Sequence, residues 1–250
     1  MIKDCYINGC AFERDGFPEG LYVYQTIMTF GHQALHLEGY LALLAEASAE
    51  VLHRPLSLKK GDVAAQITDF LRKNGYPSAM PSFVELRCYH SGEVVLLGGE
   101  VSPYPKLGLR LLMPSAVGVV YDLPLSECSS SVRRAAAEAA KAVAESRGAK
   151  VAIRVGGDGL VHSVDDAELF VVKEYTIITP TLPMSVEGRL IADAVERAGM
   201  QFEVAPVPFE ALADADEIFY ADHRGVTALG SFEGRPLMHI LAEKIAGFLR

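Results

Sequence analysis

Residues 131–164 read SVRRAAAEAAKAVAESRGAKVAIRVGGDGLVHSV, and this stretch decides the fold. Its first half is built to be helical. Ser131 supplies a capping hydroxyl, Val132 to Arg147 is alanine-rich, and Gly148 stops the helix. Two β-rich runs follow at once, Val151 to Val155 and Leu160 to His162, flanking the turn residues Gly157-Asp158-Gly159. A helix fed directly into a strand, a turn and a second strand predicts a mixed α/β domain.

Working outward toward the C-terminus, Leu169 to Val172 and Thr176 to Ile178 predict further strands, and Val186 to Ala198 a helix stopped by Gly199. Phe202 to Ala205, Glu217 to Tyr220 and Val226 to Leu229 read as strands, and Met238 to Leu249 as a closing helix. Toward the N-terminus, Leu21 to Phe30 is β-rich and ends at Gly31-His32. Leu37 to Leu52 and Gly61 to Lys73 carry helical periods. Phe83 to Tyr89 and Val94 to Leu97 flank Ser91-Gly92, so this half is α+β with antiparallel strands. Leu107 to Met113 reads as a buried strand, and the Pro- and Gly-bearing stretch 113–124 as an interdomain connection. The fold class is therefore α/β (α+β) in two domains, a small one over 1–115 and a larger one over 116–250.

Composition narrows the functions. Half of the 250 residues are hydrophobic, enough for sizeable cores, and the net charge is −9. That charge, with no basic run longer than Lys59-Lys60 or Arg133-Arg134, argues against nucleic acid and anionic membranes. No apolar run approaches the roughly 20 residues needed to cross a bilayer, and Met1 to Cys10 lacks the apolar core of a secretory signal. The expectation is a cytoplasmic protein. Cys5, Cys10, Cys88 and Cys128 lack metal-ligand spacing, so free, mostly buried thiols and no metal are expected.

Several segments, in order, resemble the class IV aminotransferases, the fold type IV pyridoxal-phosphate family of branched-chain and D-amino-acid aminotransferases and aminodeoxychorismate lyase. They are Gly20 to Ile27, Leu35-His36-Leu37, Arg147-Gly148-Ala149 with Val151-Ala152-Ile153, Gly157 to Val161, and Asp214 to Phe219. The resemblance implies that family's two-domain fold, a homodimer, and a pocket between the domains where Ser130, Ser163 and His223 converge. In such a site a lysine forms a Schiff base with the cofactor, a carboxylate holds the pyridine nitrogen protonated, and a helix start binds the phosphate.

The residues here depart from that pattern. Counting back from Arg147-Gly148 puts the family lysine at Ser130, and no lysine occurs between Lys106 and Lys141. The family glutamate falls on Ser163, with Asp165 two residues on, on the same face of an extended chain. A histidine and an arginine of the first helix become Tyr40 and Leu43. The phosphate loop becomes Ser185-Val186-Glu187-Gly188-Arg189, where Glu187 repels an anion, and the late Thr-rich turn becomes Ala221-Asp222-His223-Arg224-Gly225. Ser129-Ser130-Ser131 is more economical as the source of one helix-capping hydroxyl than of a nucleophile, and His162 as a buried, hydrogen-bonded histidine than as a base. Pocket candidates are Tyr24, Arg87, Ser130, His162, Ser163, Asp222, His223 and Arg224, with Arg87 equally readable as a strand charge.

Three functions follow. The first is a relative without pyridoxal-phosphate catalysis that holds a small anionic or amino-acid-like ligand or a partner protein, with no cofactor expected. The second is an active pyridoxal-phosphate aminotransferase or lyase whose lysine lies elsewhere. The third is a cofactor-free enzyme using His162, His223 and Asp222.

Overall fold

The computed structural model describes residues 5–12, 18–103, 108–110, 112–123 and 127–249. The chain divides into two compact units, Met1–Lys106 with Leu125–Arg133, and Leu107–Pro124 with Arg134–Arg250.

The first unit runs β1 (Cys5–Ile7), β2 (Cys10–Phe12), β3 (Tyr22–Phe30), β4 (Gln33–Ala34), α1 (Leu37–Val51), α2 (Lys60–Lys73), β5 (Ser82–Tyr89) and β6 (Val94–Val101). Its sheet has the order β2-β1-β6-β5-β3-β4 and every pairing is antiparallel. The long β3–β5 ladder, from Tyr22 opposite Tyr89 to Thr29 opposite Ser82, is its backbone. Both helices bury stripes at helical spacing: Tyr40, Leu44, Ala47 and Val51 from α1, and Val63, Ile67, Phe70 and Leu71 from α2. Tyr6 donates to Asp69 Oδ2 at 2.7 Å and meets the Phe70 ring edge-on, fastening β1 to α2. Residues 129–131 complete this unit from far along the chain. The Tyr24 N–H donates to Ser129 O at 3.1 Å, and Val23 and Ser130 form an antiparallel bridge.

The second unit contains β7 (Leu109–Arg110), β8 (Ser115–Val120), α3 (Ser131–Ser146, its first turn counted with the first unit), β9 (Val151–Val155), β10 (Leu160–Val164), β11 (Ala167–Lys173), β12 (Thr176–Thr179), α4 (Val186–Arg197), β13 (Gln201–Val204), β14 (Val207–Pro208), β15 (Glu217–Asp222), β16 (Gly225–Ala228), β17 (Ser231–Phe232), β18 (Arg235–Pro236) and α5 (Ile240–Gly247). The main path of its 12-stranded sheet is β18-β17-β8-β9-β10-β11-β15-β16-β7. Alternation along β11 and β15 divides the core between two faces. Leu169, Val171, Ile218 and Tyr220 pack with Val161, Val164 and Leu212. Phe170, Val172, Phe219 and Ala221 pack under Ile191, Ala194 and Val195 of α4 and Ala242, Ile245 and Ala246 of α5.

Four expectations need correction. The stretch 113–124 is not a connection, because it holds β8, which pairs parallel with β9 from Ala116–Val151 to Val120–Val155. Residues 109–120 thus belong to the second unit and 125–133 return to the first, unlike a single boundary at 115. Within 107–113 the described strand is only β7, half-buried, while Leu112 and Met113 are exposed and 107 and 111 lie outside the described residues. Finally, Asp165 does not extend β10. It sits in the β10–β11 turn with φ 49°, so it is not on an extended chain beside Ser163.

Gly225 shows why the β15–β16 turn needs its residue. Its φ is +127°, and a Cβ there would lie 2.3 Å from Gly108 O, the acceptor of the Val226 N–H. Gly225→Ala is expected to lose about 3 kcal/mol of stability by pushing β7 off the sheet edge, measurable by urea denaturation.

Candidate functional site

Ser130 is a helix cap. Its Oγ accepts the Arg133 N–H at 3.2 Å, the bond an N-cap makes to the first turn, and its side chain is 2% exposed. The cap lies one residue before the expected Ser131, whose Oγ instead accepts the Tyr22 N–H at 3.3 Å. The same short segment therefore starts α3 and finishes the edge of β3. Lys141, the first lysine of α3, is exposed.

In the second unit, sheet register lines up three polar residues and an alanine. Arg154 pairs with Ser163, Ser163 with Glu168, and Glu168 with Ala221, so the four stand side by side across β9, β10, β11 and β15. Arg154 is 3% exposed, with its guanidinium 6.0 Å from the Tyr121 ring centre. Ser163 is equally buried and donates to Asp165 O at 3.1 Å. Glu168 faces α4, as its parity with Phe170 and Val172 requires. Its Oε1 accepts two backbone N–H groups just ahead of that helix, Met184 at 2.7 Å and Ser185 at 2.8 Å. Ser185 Oγ accepts the Gly188 N–H at 2.9 Å and caps the helix. Sequence reasoning missed Glu168. A glutamate breaking the apolar run of β11 was the available signal.

The first residue of the Asp222-His223-Arg224 turn is largely buried. The Asp222 side chain is 11% exposed and its Oδ2 is gripped by the Arg224 Nε at 3.0 Å and by Nη2, while Oδ1 accepts the Arg224 N–H at 2.8 Å. Arg110, from β7, places Nη1 3.7 Å from the same Oδ2 and 3.3 Å from Thr227 Oγ1. Burial pulls the Asp222 carboxyl upward, but the Arg224 side chain, the His223 charge and the Arg224 backbone N–H together hold it below the ordinary value. Asp165 goes the other way. Burial raises it to about 6 against the relief given by the Ala152 N–H, which donates to its Oδ1 at 3.0 Å.

The remaining candidates, Tyr24, Arg87 and His162, make these contacts. Tyr24 is buried, edge-on to Tyr22. Arg87 pairs with Glu85 and stacks 4.7 Å over the Tyr22 ring. His162 is half-buried rather than buried, with Nε2 3.8 Å from Asp158 Oδ1. Ser130, Tyr24 and Arg87 belong to the first unit, and His162, Ser163, Asp222, His223 and Arg224 to the second. A groove of about 540 Å³ in the first unit, lined by Gln33, Ala34, Thr68, Asp69 and Arg72 among others, includes none of them. Cys5 and Cys88 are buried, Cys88 with its thiol pushed up to about 12 by burial, whereas Cys10 is exposed. Among the described residues no cluster of His, Cys, Asp and Glu has metal-binding geometry, and no helix is long and apolar enough to cross a membrane.

No protein-family model matches the chain, and no curated protein matches it in sequence. Solved structures do match in fold. A branched-chain aminotransferase from Thermoproteus uzoniensis with norvaline superposes with TM-score 0.82 at 14% identity, covering 98% of this chain and 93% of that one. The branched-chain amino acid aminotransferase of Escherichia coli gives 0.81 at 15%, covering 98% and 92%. An aminotransferase from Brucella abortus bound to the cofactor PLP gives 0.80 at 18%, covering 98% and 96%. This chain therefore has the fold of the class IV aminotransferases, as the sequence motifs implied.

The raised Asp165 has a pH signature. Its carboxyl moves from 3.8 to about 6 on folding, so its contribution to stability is full below 3.8 and is lost as pH rises through about 6. Asp165→Asn keeps an acceptor for Ala152 and tolerates the left-handed turn. It is expected to gain about 2 kcal/mol near pH 7.5 and almost nothing near pH 3.5, read from urea midpoints at the two pH values.

Proposed function

We propose that this chain keeps the class IV aminotransferase fold without pyridoxal-phosphate catalysis, and uses it to hold a small anionic or amino-acid-like ligand, or a partner protein, as a homodimer. The observation that carries this reading is Ser130. At the position that sequence spacing assigns to the Schiff-base lysine stands a buried hydroxyl committed to starting α3. A serine forms no imine with an aldehyde, and the exposed Lys141 lies about three turns further along the helix.

The cofactor's other demands go unmet at the matching residues. A pyridinium nitrogen needs a carboxylate beside it, and Ser163 has none. Its register neighbour on one side is Arg154, whose positive charge opposes protonation of a ring nitrogen. The residues at these positions do not fit pyridoxal phosphate. A cofactor-free enzyme working through Asp222 and the histidines has less support. The Asp222 carboxyl is held ionised by Arg224, which makes it a weak base near neutral pH.

Purified wild type incubated with pyridoxal phosphate is expected to show no borohydride-sensitive visible band and no transamination of standard amino acids with 2-oxoglutarate. Ser130→Lys alone is expected to restore no turnover, because Ser163 still offers no carboxylate. A borohydride-sensitive band in wild type would show that a lysine does reach the cofactor and would overturn the proposal. The homodimer rests on the family resemblance, and light scattering at micromolar concentration is expected to give twice the chain mass. A strictly monomeric species would remove that part.

A further inference from the structure

Glu168 stands at the N-terminal end of α4. A helix N-terminus collects unpaired N–H groups and the positive end of the peptide dipoles, and it accepts phosphates and carboxylates readily. Just ahead of α4, at its N-cap Ser185 and the residue before it, the N–H groups of Ser185 and Met184 converge on one atom, Glu168 Oε1, at 2.8 and 2.7 Å. The Gly188 N–H is already taken by Ser185 Oγ.

The fit of this carboxylate is close enough to depend on a missing side chain. A Cβ built on Gly188 would fall 1.5 Å from Glu168 Oε2, inside the carboxylate itself. Oε2 is buried and makes no hydrogen bond among the described residues. The two oxygens are thus unequal: one is held by two donors and the other is pressed against the bare Cα of Gly188. Glu168 reaches this place because it lies on the α4 side of β11, between its register partners Ser163 and Ala221.

We propose that Glu168 is a resident anion that plugs the N-terminus of α4 and keeps phosphate-bearing ligands out of it. The plug acts by two means. The carboxylate occupies the N–H groups of Met184 and Ser185 at the mouth of the helix, and its charge repels a dianion from the same small volume. Any ligand this unit accepts must then either carry no phosphate or bind it elsewhere. This inference rests on the reading above that the fold is kept without its phosphorylated cofactor, and it adds the device that closes the phosphate seat. A carboxylate at a helix start is also a common structural cap, so the test must separate plugging from capping.

The probe is inorganic phosphate, titrated into full-length protein at constant ionic strength. Backbone amide shifts of Met184, Ser185 and Gly188 report binding at the plug itself. In wild type these amides are expected to stay put. In Glu168→Ala they are expected to move saturably, with phosphate binding about tenfold or more tighter than in wild type. Glu168→Gln keeps the shape and an acceptor oxygen while losing the charge, so it guards against a misfolded alanine variant and is expected to fall between the two. The proposal is overturned if both folded variants bind phosphate no better than wild type. It is equally overturned if the three amides respond to phosphate in wild type, or if tighter binding appears with those amides unmoved. None of these outcomes depends on an aldimine. A borohydride-sensitive band in wild type would defeat the proposed function, whereas phosphate-blind variants would defeat only the plug.

Discussion

The second unit depends on carboxylates that rise from the sheet to meet helix starts. Glu217, 2% exposed on β15, gives one oxygen to the Leu241 N–H at 2.8 Å and the other to the Ala242 N–H at 2.9 Å. The first turn of α5 is thereby tied to the central strand beneath it. A buried carboxylate is costly without partners, and unpaired N–H groups at a buried helix start are costly too. Joining them cancels both costs and fixes where α5 lies over Phe219 and Val226. On the neighbouring strand Glu168 reaches the lead-in to α4, where one oxygen accepts the N–H groups of Met184 and Ser185 just ahead of the helix. Both helices rest their apolar undersides on this sheet face, over Phe170, Val172, Phe219 and Ala221.

Much of this architecture was readable from spacing. The helices of both units declared themselves through apolar period, caps and terminal glycines, and their observed ends lie within a few residues of the expected ones. Strand β8 did not. Proline at 114 and glycine at 118 imitate a linker, but Pro114 only precedes the strand, and Gly118 is small because the Phe209 ring covers it. A Cβ there would lie 2.3 Å from Phe209 Cε2. A contact between residues about ninety apart leaves no local trace. The two-residue strands β4, β7, β14, β17 and β18 are below what any period can reveal.

At the candidate site the chemistry was more legible than the geometry. Spacing pointed to Ser130 and Ser163 as the positions the family resemblance assigns to its lysine and glutamate, since a count needs no coordinates. It did not reveal that Asp165 turns out of the strand, because a left-handed aspartate and an extended one read alike in sequence. Nor did it show that Asp222 and Arg224, two residues apart, close on one another and draw in Arg110 from a distant strand. Glu187 was read as the charge at α4, yet the carboxylate on the N–H groups just ahead of the helix comes from β11, which only the register of a sheet determines.

The return of residues 129–131 to β3 bears on the order in which the chain is made. Tyr22, Val23 and Tyr24 emerge early, but the groups that satisfy them, Ser131 Oγ, the Ser130 bridge and Ser129 O, are more than a hundred residues behind. Until those residues leave the ribosome, the start of the longest strand of the first unit is an open edge, able to pair with other chains. A fragment ending near residue 115 would keep that edge permanently. The first unit is therefore no separable module, and its assembly must wait for the opening turn of α3.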